Sequence, residues 1–326
     1  METEVITKFD EMIEVEKVEI KDLHTLQTEP KDLEYRVCDE IDDIPIEVSD
    51  ALDFETHPNP IDGEKLANLV NIKNPLLFKL KAYEIIGGNM ILSKLNKEGL
   101  GSGLSHGTMD YIYRIGVDSK VDGLLDNIDL AVGCLQRRCQ IEDLMEKTIM
   151  DESMEQITSI AGGTCILPLE AVYQSGKRNM VVTNLDFSNR ANSKADILLK
   201  DLISKAGDRG VQLKYKNMDM LTDSISVNAL DMNTIYECTG FWEYLNNADR
   251  ERLLHNISYV MSEKDKFILT ALVDNPQKDI FGAIKFKPLN PHKSEDFVEQ
   301  VSSVFDVKKA VITPNKTYLT LVCSKK

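Results

Sequence analysis

At 326 residues, with 42% hydrophobic and 28% charged residues, the chain is long enough for a full α/β domain plus a smaller one. No apolar run approaches the roughly 20 residues that cross a bilayer; this excludes a membrane span, and an N-terminus without the basic start and apolar centre of a secretory signal predicts a cytoplasmic protein. The net charge of −16 is segmental, since residues 1–60 hold 19 acids against 5 Lys or Arg, and a nearly neutral body without a basic stripe argues against nucleic acid as substrate or partner.

Residues 1–60 mix short alternating pieces such as "EVEKVEI" and "IPIEV" with acidic runs and end in the turn cluster "HPNPIDG". They are expected to form an acidic N-terminal extension outside the sheet. It serves either as a solubilising arm or as a segment that docks a protein partner or covers the active site. Residues 61–150 take on helical spacing, interrupted by the Gly-rich loop "GLGSGLSHG" and closed by the long amphipathic run "NIDLAVGCLQRRCQIEDLMEKTI", which predicts a helical subdomain or lid.

Residues 151–326 alternate strand and helix: "QITSIAG", "NMVVTNLDFS", "SKADILLKDLISKAG", "VQLKYKNMD", "NTIYECTG", "ADRERLLHNISYVMS" and "KFILTALVD". That alternation predicts a doubly wound, mostly parallel sheet of the Rossmann-like α/β class. The ending departs from it, because "FVEQVSSVF" leads into two β-rich runs joined by the turn signal "TPNK". The prediction is therefore a seven-stranded sheet with a terminal antiparallel hairpin. Six scattered cysteines, with no C-x-x-C and no histidine at zinc spacing, predict neither a disulfide framework nor a metal site.

The stretch "SIAGGTC", residues 159–165, carries the candidate site. Small residues where a buried strand turns into a helix let the backbone come close to a ligand, although Gly162 and Gly163 serve a plain tight turn equally well. Acids follow at successive strand ends, where open α/β sheets bind ligands: Asp186 after the second strand, Asp219 after the third and Glu237 in the fourth. Asp186 suits ribose hydroxyls, or the N-cap of the next helix. An acid there fits either a dinucleotide or an adenosyl group, but the third glycine of G-x-G-x-x-G is missing, which disfavours a pyrophosphate.

With these features the chain resembles, over roughly residues 99–326, the class I S-adenosylmethionine-dependent methyltransferases. The family's D/E-x-G-x-G-x-G places fall on Ser159, Ala161, Gly163 and Cys165, so only the middle glycine is kept; "NLDFSNRA" and "KNMDML" resemble the second and third motifs. A closer similarity is to methyltransferases defined by a segment G-x-x-S-G-x-x-L-D-Y-x-Y ahead of the cofactor motif, here "GLSHGTMDYIYRIG".

The resemblance implies S-adenosyl-L-methionine as cofactor, and methyl transfer to an O or N atom of a small molecule or peptide. Cofactor contacts would come from Tyr113, Ala161, Gly162, Gly163, Asp186, Phe187, Asp219, Met220 and Glu237. It also implies that Tyr111 or Tyr113 caps the methionine end, unless both are core aromatics. Arg137 or Arg138 approaches the cofactor carboxylate, unless both lie on a solvated helix face. His106, Tyr111, Glu243 and Tyr244 are the candidates for a proton-accepting group, with no convincing one among them. Trp242 is a substrate wall or an interdomain plug. Rival functions on the same sheet are a methyltransferase-like scaffold without turnover, an NAD-dependent dehydrogenase and an aminoalkyl transferase.

Overall fold

The structure, a computed structural model, describes residues 13–14, 129–220, 232–273 and 292–326. The predicted helices of residues 61–128 lie outside them. The chain divides into two units, one of Met1–Lys21, Gln136–Asp274 and Asn290–Lys326, the other of Asp22–Leu135 and Asn275–Leu289. The sheet belongs to the first.

In chain order the described elements are β1 (Ile13–Glu14), α1 (Asp129–Asp151), β2 (Gln156–Ile160), α2 (Ile166–Ser175), β3 (Val181–Leu185), α3 (Asn189–Ala206), β4 (Gln212–Lys216), β5 (Thr234–Cys238), α4 (Asn247–Val260), β6 (Lys266–Leu272), α5 (Ser294–Ser302), β7 (Phe305–Ile312) and β8 (Tyr318–Lys325). The sheet order is β1-β7-β8-β6-β5-β2-β3-β4. Only β8 runs against its neighbours, pairing antiparallel with both β6 and β7. The seven strands expected from sequence are thus present with their antiparallel ending.

The eighth strand corrects the expectation that the acidic extension stays outside the sheet. Ile13 and Glu14 pair in parallel with Ala310 and Val311 of β7. An edge strand presents unpaired N–H and C=O groups, and two residues of the extension satisfy part of that row.

Sequence explains the depth of each strand. β2 and β5, "QITSI" and "TIYEC", are buried at every position, as central strands covered on both faces must be. β4, "QLKYK", is the opposite edge and is mostly exposed, with Lys214 and Lys216 blunting it. Alternate residues divide the two faces. Tyr236 and Cys238, Phe267 and Leu269, and Leu319, Leu321 and Cys323 form one core with Leu253 and Ile257 of α4 and Phe297 and Val301 of α5.

On the other face the alternation puts Ser159, Glu237, Tyr318 and Thr320. α1 meets that face, where Thr320 Oγ1 hydrogen-bonds Gln140 Oε1 at 3.0 Å and the Arg137 guanidinium lies 4.2 Å from the Tyr318 ring centre. A polar lining beneath a helix is unusual for a core and follows the line of the candidate site.

From β2 the chain fills β3 and β4 on one side and later β5 and β6 on the other, so the strand order reverses between β2 and β5. That reversal is where open parallel sheets leave a crevice at their carboxyl ends.

Candidate functional site

The loop between β2 and α2 sits at this reversal, and its backbone is unusual. Ala161, Gly163 and Cys165 all take left-handed φ, at 52°, 54° and 56°. These are the three places where the methyltransferase motif has glycine. The conformation is kept although two of the three residues carry a Cβ, at roughly 1–2 kcal/mol each for an L-residue in that region. Such strain persists only where surrounding contacts impose it. Ala161→Gly is therefore expected to raise stability by roughly 0.5–1 kcal/mol, the relief of strain less the extra unfolded-state freedom of glycine; a urea melt with a lower midpoint than wild type would contradict the strained-loop account.

Three strands impose the conformation. From β3, Asn184 Nδ2 donates to the Gly163 carbonyl at 2.8 Å, and just beyond the strand Asp186 Oδ2 accepts the Gly163 N–H at 2.9 Å. One peptide position is thus gripped on both its polar groups. Asp186 Oδ1 also accepts the Ser188 N–H at 2.7 Å, while Ser188 caps α3 through the Ala191 N–H. Asp186 is nearly buried, which pushes its carboxyl up, and the two backbone donors at Ser188 and Gly163 oppose the shift. Each of its oxygens keeps a second lone pair. It holds the loop and retains acceptor capacity for hydroxyls.

From β5, Glu237 reaches under the loop. Ser159 and Glu237 are directly opposite in the β2–β5 register, and Ser159 Oγ donates to Glu237 Oε2 at 2.5 Å. Burial raises the Glu237 carboxyl above its usual range, with Ser159, Thr239 and Arg137 acting against the shift. Gly162 rests on this pair: a Cβ built there would lie 2.1 Å from Ser159 Oγ and 2.7 Å from Asn184 Oδ1. The missing side chain points inward, which leaves the outer surface of the loop as bare backbone.

The arginines do not lie on a solvated face. Both are buried, Arg137 completely. Arg137 Nη1 donates to Glu243 Oε1 at 3.3 Å, and its Nη2 would be 3.5 Å from a Cβ on Gly240. It therefore lies at the end of β5. Arg138 points elsewhere, donating from Nε to Glu142 Oε1 at 2.9 Å and from Nη2 to Glu170 Oε2 at 2.5 Å. That triad ties α1 to α2.

Beyond β5, Glu243 is buried and its carboxyl is raised by burial, with Arg137, its own backbone N–H and Arg250 opposing. Its Oε2 has no hydrogen-bond partner among the described residues. Trp242, the candidate substrate wall or interdomain plug, has no exposed surface. It is fully buried in the core, 5.5 Å from the Phe297 ring and 6.2 Å from that of His292. His292 is held neutral, its pKa pushed down to about 4 by burial and by Arg250, with Asp296 opposing.

The remaining sequence candidates divide. Phe187, beside Asp186, is 59% exposed, an unusual state for a large apolar ring. Asp219 is exposed, between the buried Met218 and Met220, and Met220 belongs to the core. Tyr244 is half-buried in the short helical turn after β5. His106, Tyr111 and Tyr113 lie outside the described residues. Cys165, at the last of the motif's glycine places, has a completely buried side chain, its thiol raised by burial and by Glu237 and Asp186. The left-handed φ turns it into the protein and away from the loop surface.

Asn184 escaped the sequence reading, although its signal is visible. It is an amide in the apolar strand "VVTNL", and a buried polar group in such a strand needs a specific partner. Among the described residues no group of three or more His, Cys, Asp or Glu side chains is placed to hold a metal, and no helix is long and apolar enough to cross a membrane.

A Bordetella parapertussis protein put forward as exported matches with a TM-score of 0.58 at 11% identity, covering 69% of this chain and 80% of its own. A Thermobifida fusca protein put forward as a methyltransferase matches with a TM-score of 0.51 at 13% identity, covering 67% and 93%. The fold is the Rossmann-like methyltransferase fold. No protein-family model and no curated protein matches the sequence. At these identities the likeness extends to architecture alone.

Proposed function

We propose that the protein is an S-adenosylmethionine-dependent methyltransferase acting on an O or N atom of a small molecule or peptide. The observation that carries this reading is the β2–α2 loop, whose three left-handed positions coincide with the motif's glycine places and which Asp186 clamps from the next strand. The residues fit the group. The loop offers bare backbone to a close ligand, Asp186 keeps lone pairs for ribose hydroxyls, and Phe187 beside it offers an exposed aromatic face to a purine.

When bound, the cofactor supplies an activated methyl group, and the chain's part is to orient the two reactants and exclude water. Glu243 is the side chain suited to take a proton from the acceptor. Burial lifts its carboxyl above the usual carboxylate range, which makes it a better proton acceptor, and its Oε2 has no hydrogen-bond partner among the described residues. Glu243→Gln is expected to slow methyl transfer while leaving cofactor affinity within about threefold.

Calorimetry with S-adenosylmethionine, S-adenosylhomocysteine and NAD tests the cofactor assignment. Micromolar binding of the first two, about −8 kcal/mol, is expected, and binding of NAD alone would identify a dehydrogenase. Asp186→Ala should weaken S-adenosylhomocysteine by roughly 1.5–3 kcal/mol, the range for hydrogen bonds to a charged group. Unchanged affinity in that variant removes Asp186 from the site.

A further inference from the structure

We propose that Glu237 is a positioning residue for the ligand loop, acting through the hydroxyl of Ser159. The inference rests on the cofactor assignment above and concerns how this chain, lacking an acid on β2, fixes the loop from a neighbouring strand.

The geometry forms a chain of contacts with one direction. Glu237 is fixed in the middle of the sheet, 2% exposed, on a strand buried at every position. Its carboxylate is not a solvated acid that happens to lie near the site, because burial works against its charge and specific groups answer it: Ser159, Thr239 and the Arg137 guanidinium. Ser159 Oγ has a single proton to give, and it goes to Glu237 Oε2. That bond selects one rotamer of Ser159.

The selected rotamer puts Oγ against Gly162, whose missing Cβ it would meet at 2.1 Å. From the other side Asn184 closes on the same glycine and holds the Gly163 carbonyl. The floor of the loop is therefore made of two side chains, and one of them is oriented by a carboxylate 78 residues away in sequence. Without the carboxylate, Ser159 can turn toward another acceptor, and the floor beneath Gly162 is no longer defined. The left-handed positions on either side, Ala161 and Gly163, then lose part of what over-determines them.

What Glu237 supplies is an acceptor at a fixed place. An amide supplies an acceptor there too, and leucine, of similar size, supplies none. The proposal therefore ranks the variants. Glu237→Leu and Ser159→Ala should each weaken S-adenosylhomocysteine binding about tenfold by calorimetry, and Glu237→Gln should stay within threefold of wild type. Because the two residues act as one unit, the Ser159→Ala/Glu237→Leu double variant should bind no worse than the weaker single variant, whereas independent effects would multiply to about a hundredfold.

Thermal melts of all five proteins accompany the titrations, and Ser159→Ala, which deletes one oxygen, keeps the test readable should Glu237→Leu fail to fold. Wild-type-like binding by Ser159→Ala overturns the proposal, as does a multiplicative double variant or a Glu237→Gln that loses as much as Ser159→Ala. Wild-type protein that binds no S-adenosylhomocysteine overturns the cofactor assignment itself, a result distinct from each of these.

Discussion

Replacing Arg138 by methionine is expected to destabilise the protein by about 3–5 kcal/mol, the cost of leaving a buried charge without its partner. Arg138 is 2% exposed and lies between Glu142 and Glu170, both nearly as deeply buried. Burial works against its positive charge, but the two carboxylates outweigh this and its pKa ends above the ordinary arginine value. One guanidinium cannot neutralise two carboxylates. The imbalance falls on Glu142, whose pKa is raised well above the usual range by burial and then by Glu170, with Arg138 opposing.

The sign of the pH dependence follows. A carboxyl whose pKa is higher folded than unfolded contributes stability that is fully present below its unfolded pKa and is lost as the pH rises through its folded one. Glu142→Gln keeps the shape and removes the titration. Its stability relative to wild type should therefore improve with rising pH, and Arg138→Met should be least damaging in acid, where Glu142 holds a proton. Urea melts at several pH values check both statements. An Arg138→Met protein as stable as wild type at neutral pH would show that the triad is not held as described.

Gly162→Ala is expected to cost roughly 1–3 kcal/mol, as overpacking of a tight site does, and to abolish S-adenosylhomocysteine binding. The φ of Gly162 is not in the left-handed region, so the argument is one of space alone. The added methyl would stand 2.1 Å from Ser159 Oγ and 2.7 Å from both Ser159 Cβ and Asn184 Oδ1. None of these is the end of a long flexible side chain. Relief has to come from moving the loop outward, into the surface assigned to the cofactor. A folded Gly162→Ala protein with unchanged affinity would place the ligand elsewhere.

These two expectations differ in how much of each the sequence showed. Gly162 stands out in "SIAGGTC" because adjacent glycines at a strand end announce close backbone approach. Arg138 was read as a cofactor contact or as part of a solvated helix face, since arginine in a long amphipathic helix is ordinarily solvated, and one of the two acids that pair with it is 32 residues away. Asp186 was legible as an acid at a strand end. Its grip on the Gly163 N–H was not, because it depends on where β3 stops relative to β2. Trp242 was read as a wall or a plug, and what the sequence did not show is its packing in the core against Phe297 and His292.

The sequence by itself determined the order of strands and helices, the antiparallel ending and the loop at the end of β2. Those follow from local rules, namely apolar runs of strand length, helical spacing and turn residues, which act over a few positions and leave their pattern in the chain. Only the tertiary structure decided that an acid on β5 lies beneath the β2 loop, that Cys165 turns inward, and that two residues of the acidic extension pair with the sheet edge. Each of these depends on strand register and on the sign of φ. A one-residue shift of register moves every side chain to the opposite face, and a change in the sign of φ turns a side chain from surface to core. Residues far apart in the chain fix both, and no local pattern in the sequence records them.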